Sequence, residues 1–308
     1  MSDGANKPKG PSERVCKLLI LLAALIWGCS FVVGKDNAET FPTFFVLVIE
    51  FGVGALALLA VFHKRFFASL DRETILAGLA VGVACWLGYY LCVLGLSYTT
   101  PGKNAFISGC YCVIVPFLGT FFGLEKPERH NVVAAFLCVV GLGFIGADGG
   151  LPLNVGDLIS FGAAVFFALQ FIMVAKFGRD RDVWAITIWS FLVTAVLSIV
   201  ATLLLEERPA LSDFDAPAIL AFAYAALLAT CVAEGIVNYA FTRVDATSGS
   251  LIASLESPVS AVVSLVVGYD VFTARLGIGF VFIFLAVIVS EAWPGIAERL
   301  GLPGGGEG

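Results

Sequence analysis

Residues Tyr98–Gly123 read YTTPGKNAFISGCYCVIVPFLGTFFG, a polar turn followed by an apolar run long enough to cross a bilayer. Near the other end the pattern returns as VDATSGSLIASLESPVSAVVSLVVGY, Val244–Tyr269. A shift of 146 pairs Lys103 with Gly249, Phe106 with Ile252, Ser108 with Ser254 and Tyr111 with Ser257, and it carries Arg129 onto Arg275 without a gap. A second internal match joins AALIWGCSFVVGK to AVFFALQFIMVAK; at an offset of 140, Trp27 falls on Phe167, Ser30 on Gln170 and Phe31 on Phe171. The chain is one unit used twice, and that repeat sets the architecture.

Composition places both copies in lipid. Of 308 residues, 59% are hydrophobic and 14% charged, and the mean hydropathy is +0.96, far above that of a soluble domain. Ten apolar segments of near-spanning length run approximately 17–35, 42–62, 74–96, 101–123, 130–147, 156–175, 183–205, 216–241, 247–268 and 274–293. They lack the period-two alternation of a barrel, so the expected fold is an all-α integral membrane protein. Pro42, Pro101 and Pro127 sit at helix starts; Asp71, Asp182 and Asp215 precede apolar runs as N-caps. Pro116 and Pro258 lie inside runs and should bend or break them.

The basic residues set orientation. With a cytoplasmic N-terminus, that side holds fourteen Lys and Arg and the outer side only Lys35, Lys103, Arg208 and Arg275, out of 18 in all. Both termini are therefore expected inside a multi-pass cell-membrane protein. Five spans per copy is an odd number, so the copies are expected to be inverted: a tail at 1–16, a first repeat at 17–147, an outer linker at 148–155, a second repeat at 156–293 and a tail at 294–308. Inverted repeats are the architecture of carriers that expose a central site to each side in turn.

The eight cysteines lie in or beside apolar runs with no Cys-x-x-Cys spacing and no nearby histidine, which reads as reduced packing and no metal. A net charge of -6 gives no surface for nucleic acid. With no phosphate-cradling loop ending in Lys-Ser or Lys-Thr and no hydrolase triad, neither ATP drive, a cofactor nor an enzymatic activity is expected. Movement would be driven by a gradient, with a proton as a possible coupling ion. The oligomeric state is open; Gly78 with Gly82 and Gly119 with Gly123 offer small-xxx-small spacing for helix contact.

Polar residues inside apolar runs are the candidate site. Glu50, Glu234 and Glu256 must each face a cavity, find a partner or stay protonated. Asn238 stands one turn after Glu234 on the same face. Pro258 should free a backbone carbonyl near Ser254, beside Glu256. Gln170 is isolated in its run, and Lys103 with Asn104 opens the fourth span, where a helix N-terminus and a cation would suit a carboxylate or simply snorkel. Trp27, Trp86, Tyr89, Tyr90, Tyr111, Tyr224 and Tyr239 supply rings that point to an amphipathic organic solute.

Four stretches carry a family likeness: Trp27-Gly28-x-Ser30-Phe31-x-x-x-Lys35, Tyr98–Pro116, Gly156-Asp157-Leu158 leading to Phe167-Ala168-Leu169-Gln170, and Ser248–Pro258. Together they resemble an EamA-type permease of the drug/metabolite transporter superfamily, with ten helices in two repeats. The resemblance implies export of a small organic metabolite such as an amino acid. It also implies a central path near Trp27, Ser30, Trp86, Tyr90, Asn104, Ser108, Tyr111, Gln170, Glu234, Asn238 and Glu256. Glu50 joins these as a departure, since the family often has a basic residue there; the reversal favours a cationic or zwitterionic solute, or a proton site. Proton-coupled uptake and a non-transporting sensor or scaffold are the competing functions.

Overall fold

A computed structural model of the chain describes residues 11–124, 129–146 and 155–275, together with 277–279, 281–282, 284–286, 288–289 and 293. In chain order the helices are α1 (Glu13–Val33), a short α2 (Lys35–Thr40), α3 (Thr43–Ala68), α4 (Arg72–Tyr98), α5 (Pro101–Ser108), α6 (Tyr111–Phe121), α7 (Arg129–Gly146), α8 (Val155–Phe177) and α9 (Val183–Leu205). After them come α10 (Ala216–Ala223), a π-helical stretch (Tyr224–Glu234), α11 (Gly235–Phe241), α12 (Ala246–Ala253) and α13 (Glu256–Val267). Eight helical spans are long and apolar enough to cross a membrane, counting α5–α6, α10–α11 and α12–α13 as one each. Two shorter apolar stretches, Arg129–Gly141 and Gly277–Ala286, stand where the fifth and tenth spans were expected. Large apolar side chains such as Leu56, Phe121 and Phe136 point outward, as they would toward lipid.

Local chemistry sets the helix ends. Ser12 caps α1 by accepting from Val15 N–H, so this helix starts at Glu13, four residues earlier than hydropathy alone suggested. Thr100 and Asp245 cap the two broken spans in the same way, accepting from the N–H groups of Lys103 and Ser248. Those breaks correct the repeat register. From α5 to α12 and from α6 to α13 the helix starts differ by 145 (246 minus 101, 256 minus 111), one less than the sequence match. The sequence match followed Ser108 with Ser254 and Arg129 with Arg275, whereas backbone geometry follows the caps and the breaks.

The α12–α13 break falls at Ser254–Leu255, where Pro258 cannot supply an N–H to the preceding turn. The Ser254 carbonyl is not left open, however, because Ser257 N–H closes a tighter turn onto it at 3.0 Å. In the first copy the break falls at Gly109–Cys110, well before Pro116, which continues inside α6. Gly102 N–H donates to Asp270 Oδ2 at 3.2 Å, which sets the start of α5 beside the end of α13. The two broken spans therefore run antiparallel.

Packing relies on close approach between backbones. A Cβ on Gly28 would lie 2.5 Å from Val259 Cβ and 2.7 Å from the Glu256 carbonyl oxygen. Gly78 and Gly82 likewise press α4 against Trp189 and Val193 of α9, as their spacing suggested. Gly123, by contrast, takes a positive φ of 77° and has open space beside it, so it ends α6 instead of joining helices. All eight cysteines are free; Cys112 and Cys138 bring their sulfurs to 3.3 Å across α6 and α7.

At the end of the bundle where α1 finishes, Tyr269 donates its phenol proton to Asp36 Oδ1 at 2.5 Å. That bond, reinforced by partial burial and the nearby Asp36 and Glu39 charges, pushes the phenol up to about 12. A folded value above the unfolded one means the bond stabilises fully below about pH 10 and is lost as the pH rises through the folded value. Ultraviolet titration of wild type minus Tyr269→Phe should show one phenol titrating near 12. Asp36→Asn should bring that transition down toward the ordinary tyrosine range, and an unchanged midpoint would dissociate the two side chains.

Candidate functional site

A cavity of about 800 Å³, its solvent-open part included, lies among α1, α3, α4, α6, α8, the π-helical stretch and α13. Trp27, Ser30, Phe31 and Gly34 line it from α1, Val46 and Glu50 from α3, and Tyr89, Cys92, Val93 and Leu96 from one face of α4. Tyr111 enters from α6, Phe167, Gln170 and Phe171 from α8, Ala225, Ala229, Thr230 and Glu234 from the π-helical stretch, and Glu256 from α13. Gly34, Ala38, Val46 and Leu96 belong to the helix ends that meet where α1 finishes, so the cavity reaches from the middle of the bundle toward that end.

At the opposite end, side chains tie the helix ends together. Arg65 Nε pairs with Asp182 at 2.8 Å, and Arg181 with Glu73 at 2.6 Å. Beneath them Phe62 stacks on Trp184 at 4.1 Å, Trp184 on Tyr239 at 5.8 Å, and the Arg243 guanidinium lies over the Tyr239 ring.

Glu234 is held by two donors, Tyr89 Oη–H at 2.8 Å and Gln170 Nε2–H. Glu256 accepts from Tyr111 Oη–H at 2.9 Å. Both phenol–carboxyl pairs are separated by 145 residues in the chain, the same shift that relates the broken spans. Tyr111 thus meets the residue at its own place in the other copy; the span that carries Tyr89 and the one that carries Glu234 start 144 residues apart (216 minus 72), so that second pair is only nearly equivalent. Glu50 meets no hydrogen-bond donor among the described residues. The wide turns of the π-helical stretch leave the Ala229 carbonyl to accept from Trp27 Nε1–H at 3.0 Å, which ties α1 to this stretch.

Of the twelve residues singled out from sequence, Trp27, Ser30, Glu50, Tyr111, Gln170, Glu234 and Glu256 come together on the cavity. Trp86 and Tyr90 lie on the next face of α4, stacked with Phe44. Asn104 is fully buried among helices, bonded to the Cys92 carbonyl and Ser160 Oγ, and Ser108 turns back onto the Asn104 carbonyl. Asn238 donates to Thr187 of α9 at 3.2 Å. Lys103, considered for a solute carboxylate, is bound to Asp157 at 2.6 Å. Tyr89, which sequence reasoning left among the general aromatics, also lines the cavity; its i, i+3, i+4, i+7 row with Cys92, Val93 and Leu96 was the available signal.

The profile of the EamA-like transporter family matches residues 15–147 and again 154–291, so the chain belongs to that family, within the drug/metabolite transporter superfamily, and is a membrane transporter built on a duplicated unit. It is 26% identical to an uncharacterized transporter of Archaeoglobus fulgidus over 92% of this chain and 89% of that protein. It is 23% identical to the uncharacterized transporter YyaM of Bacillus subtilis over 89% of this chain and 92% of the relative. A probable amino-acid metabolite efflux pump of Escherichia coli shares 23% identity over 71% of this chain and 75% of its own. A crystal structure at 18% identity superposes with a TM-score of 0.72 over 93% of this chain and 99% of the other, which shows a common fold. No group of three or more His, Cys, Asp or Glu placed for a metal occurs among the described residues.

Proposed function

We propose that the protein exports a small organic solute by alternating access, with ten spans in two inverted five-helix repeats and both termini cytoplasmic. The observation that carries this reading is a mid-bundle cavity that reaches one end while aromatic stacks and two ion pairs tie the helices together at the other, which we read as the closed end. Antiparallel broken spans support inversion. So does the Tyr111–Glu256 pair, since equivalent residues of two copies touch only where a two-fold axis passes between them. The bias of Lys and Arg toward the closed end supports a cytoplasmic location for it, so this is an outward-facing arrangement.

The name of the Escherichia coli relative supports an organic solute and the outward direction. Glu50, Glu234 and Glu256 are the groups that would take up a coupling proton while the solute leaves.

Right-side-out vesicles preloaded with labelled amines and amino acids test both direction and drive. An acidic exterior should accelerate efflux of at least one solute above that from vesicles lacking the protein. Accumulation inside under the same gradient would overturn export, and no protein-dependent exchange of any solute would overturn transport of this solute class.

A further inference from the structure

Apart from the Thr230 hydroxyl, which can donate or accept, the polar groups left open on the cavity among the described residues are acceptors. Glu50 offers two carboxylate oxygens with no donor among the described residues, and Glu256 offers one beyond the Tyr111 bond. The Gln170 side-chain oxygen, on a residue only 1% exposed, has no hydrogen-bond partner although its amide nitrogen is bound to Glu234. The donors beside them are already engaged: Trp27 on the Ala229 carbonyl, Tyr89 and Gln170 on Glu234, and Tyr111 on Glu256.

Among the described residues, no Lys, Arg or His lines the cavity. The two lysines at that end are committed elsewhere, Lys35 to Glu39 and the Leu96 and Thr99 carbonyls, Lys103 to Asp157. A second crevice at the same end, lined by Asp36, Asp213 and Asp215, is likewise without a basic residue.

From this imbalance we infer that the solute is an organic cation, an ammonium group on an apolar body of about one aromatic ring, with the ammonium set among Glu50, the open oxygen of Glu256 and the Gln170 oxygen. An ammonium is a donor with no acceptor capacity, the complement of what the cavity leaves unmet. It also supplies the positive charge that buried carboxylates otherwise lack. The rings of Trp27, Tyr89, Tyr111, Phe167 and Phe171 line the same space, where a cation and an aromatic body both gain from π-faces. A zwitterion or an anion would bring a carboxylate among three acids with no counter-charge. The acidic crevice would raise the local concentration of cations at that end.

The inference rests on the reading of this cavity as the solute site, and a charge series separates the two. Full-length protein in detergent is saturated with labelled phenethylammonium and challenged with unlabelled phenethylammonium, 2-phenylethanol, 3-phenylpropionate and phenylalanine. The cation should displace the label at concentrations at least about tenfold lower than the others, the scale of one charge-assisted hydrogen bond. Glu50→Gln should weaken binding about tenfold, whereas Glu207→Gln, on an exposed residue, should leave it unchanged.

Displacement by the alcohol, the acid or the amino acid as readily as by the amine would overturn the cation assignment, as would absence of saturable binding. If Glu50→Gln does not fold, the series on wild type decides by itself. Reconstituted vesicles complete the distinction: cation binding without cation flux upholds the class and sinks the carrier reading, whereas flux of phenylalanine without flux of the amine does the reverse.

Discussion

Replacing Glu234 by glutamine lowers the initial rate of solute exchange about a hundredfold while the protein remains folded and abundant. Glutamine keeps the shape of the side chain and can still accept from Tyr89 Oη, so little packing changes. Its new amide nitrogen faces the Gln170 amide nitrogen, and one of the two must turn away. The larger loss is chemical: an amide can neither bear the charge that attracts a cation nor carry a proton across. Hydrogen bonds to a charged group are worth about 1.5–3 kcal/mol, and the upper end of that range sets the expected factor. Tyr89→Phe removes only one bond to the same carboxyl and should cost about tenfold. Exchange in reconstituted vesicles, alongside size-exclusion profiles, measures both. Rates within twofold of wild type from about pH 5.5 to 8 in single glutamine variants at Glu50, Glu234 and Glu256 would remove all three acids from the mechanism.

Gly28→Val should be the most damaging single change to folding. Its Cβ would sit 2.5 Å from Val259 Cβ and 2.7 Å from the Glu256 carbonyl oxygen, and that oxygen belongs to backbone that cannot rotate away. Separating α1 from α13 opens a gap along both helices and displaces Glu256 from Tyr111. Overpacking of this kind costs on the order of 3 kcal/mol, enough to deplete folded protein. Gly52 lies in α3 with nothing within 4 Å of a Cβ, and Gly52→Ala should be neutral. Monodisperse yield and thermal midpoint in detergent compare the two; equal behaviour would refute the close contact.

The helical spans were legible because a bilayer imposes both length and apolarity on whatever crosses it, and Thr100, Asp182 and Asp215 marked starts that backbone N–H groups require. Glu50, Gln170, Glu234 and Glu256 were legible for the converse reason, since a polar group in an apolar run needs a compensating environment. What escaped was azimuth and satisfaction. Tyr89 and Tyr90 are neighbours in sequence but about 100° apart around α4, and only packing decides which reaches the cavity. Asn104, Ser108 and Asn238 look as polar as the acids do, yet Asn104 and Ser108 spend their bonds within or between helices, and Asn238 turns its amide N–H to Thr187 while its buried oxygen has no partner. The break before Pro116 was not marked by that proline, and identity of a few side chains misled the repeat register by one residue.

The paired phenols and carboxyls say something about why the halves share one polypeptide. Two identical subunits meeting about a dyad must set each residue on that dyad against its own twin, acid facing acid or phenol facing phenol. Covalent fusion lifts the requirement, and here Tyr111 has come to lie in one half and Glu256 in the other. Under the inverted-repeat reading, an assembly of two second halves would force Glu256 against Glu256, a repulsion that the tandem chain replaces with a phenol–carboxyl hydrogen bond.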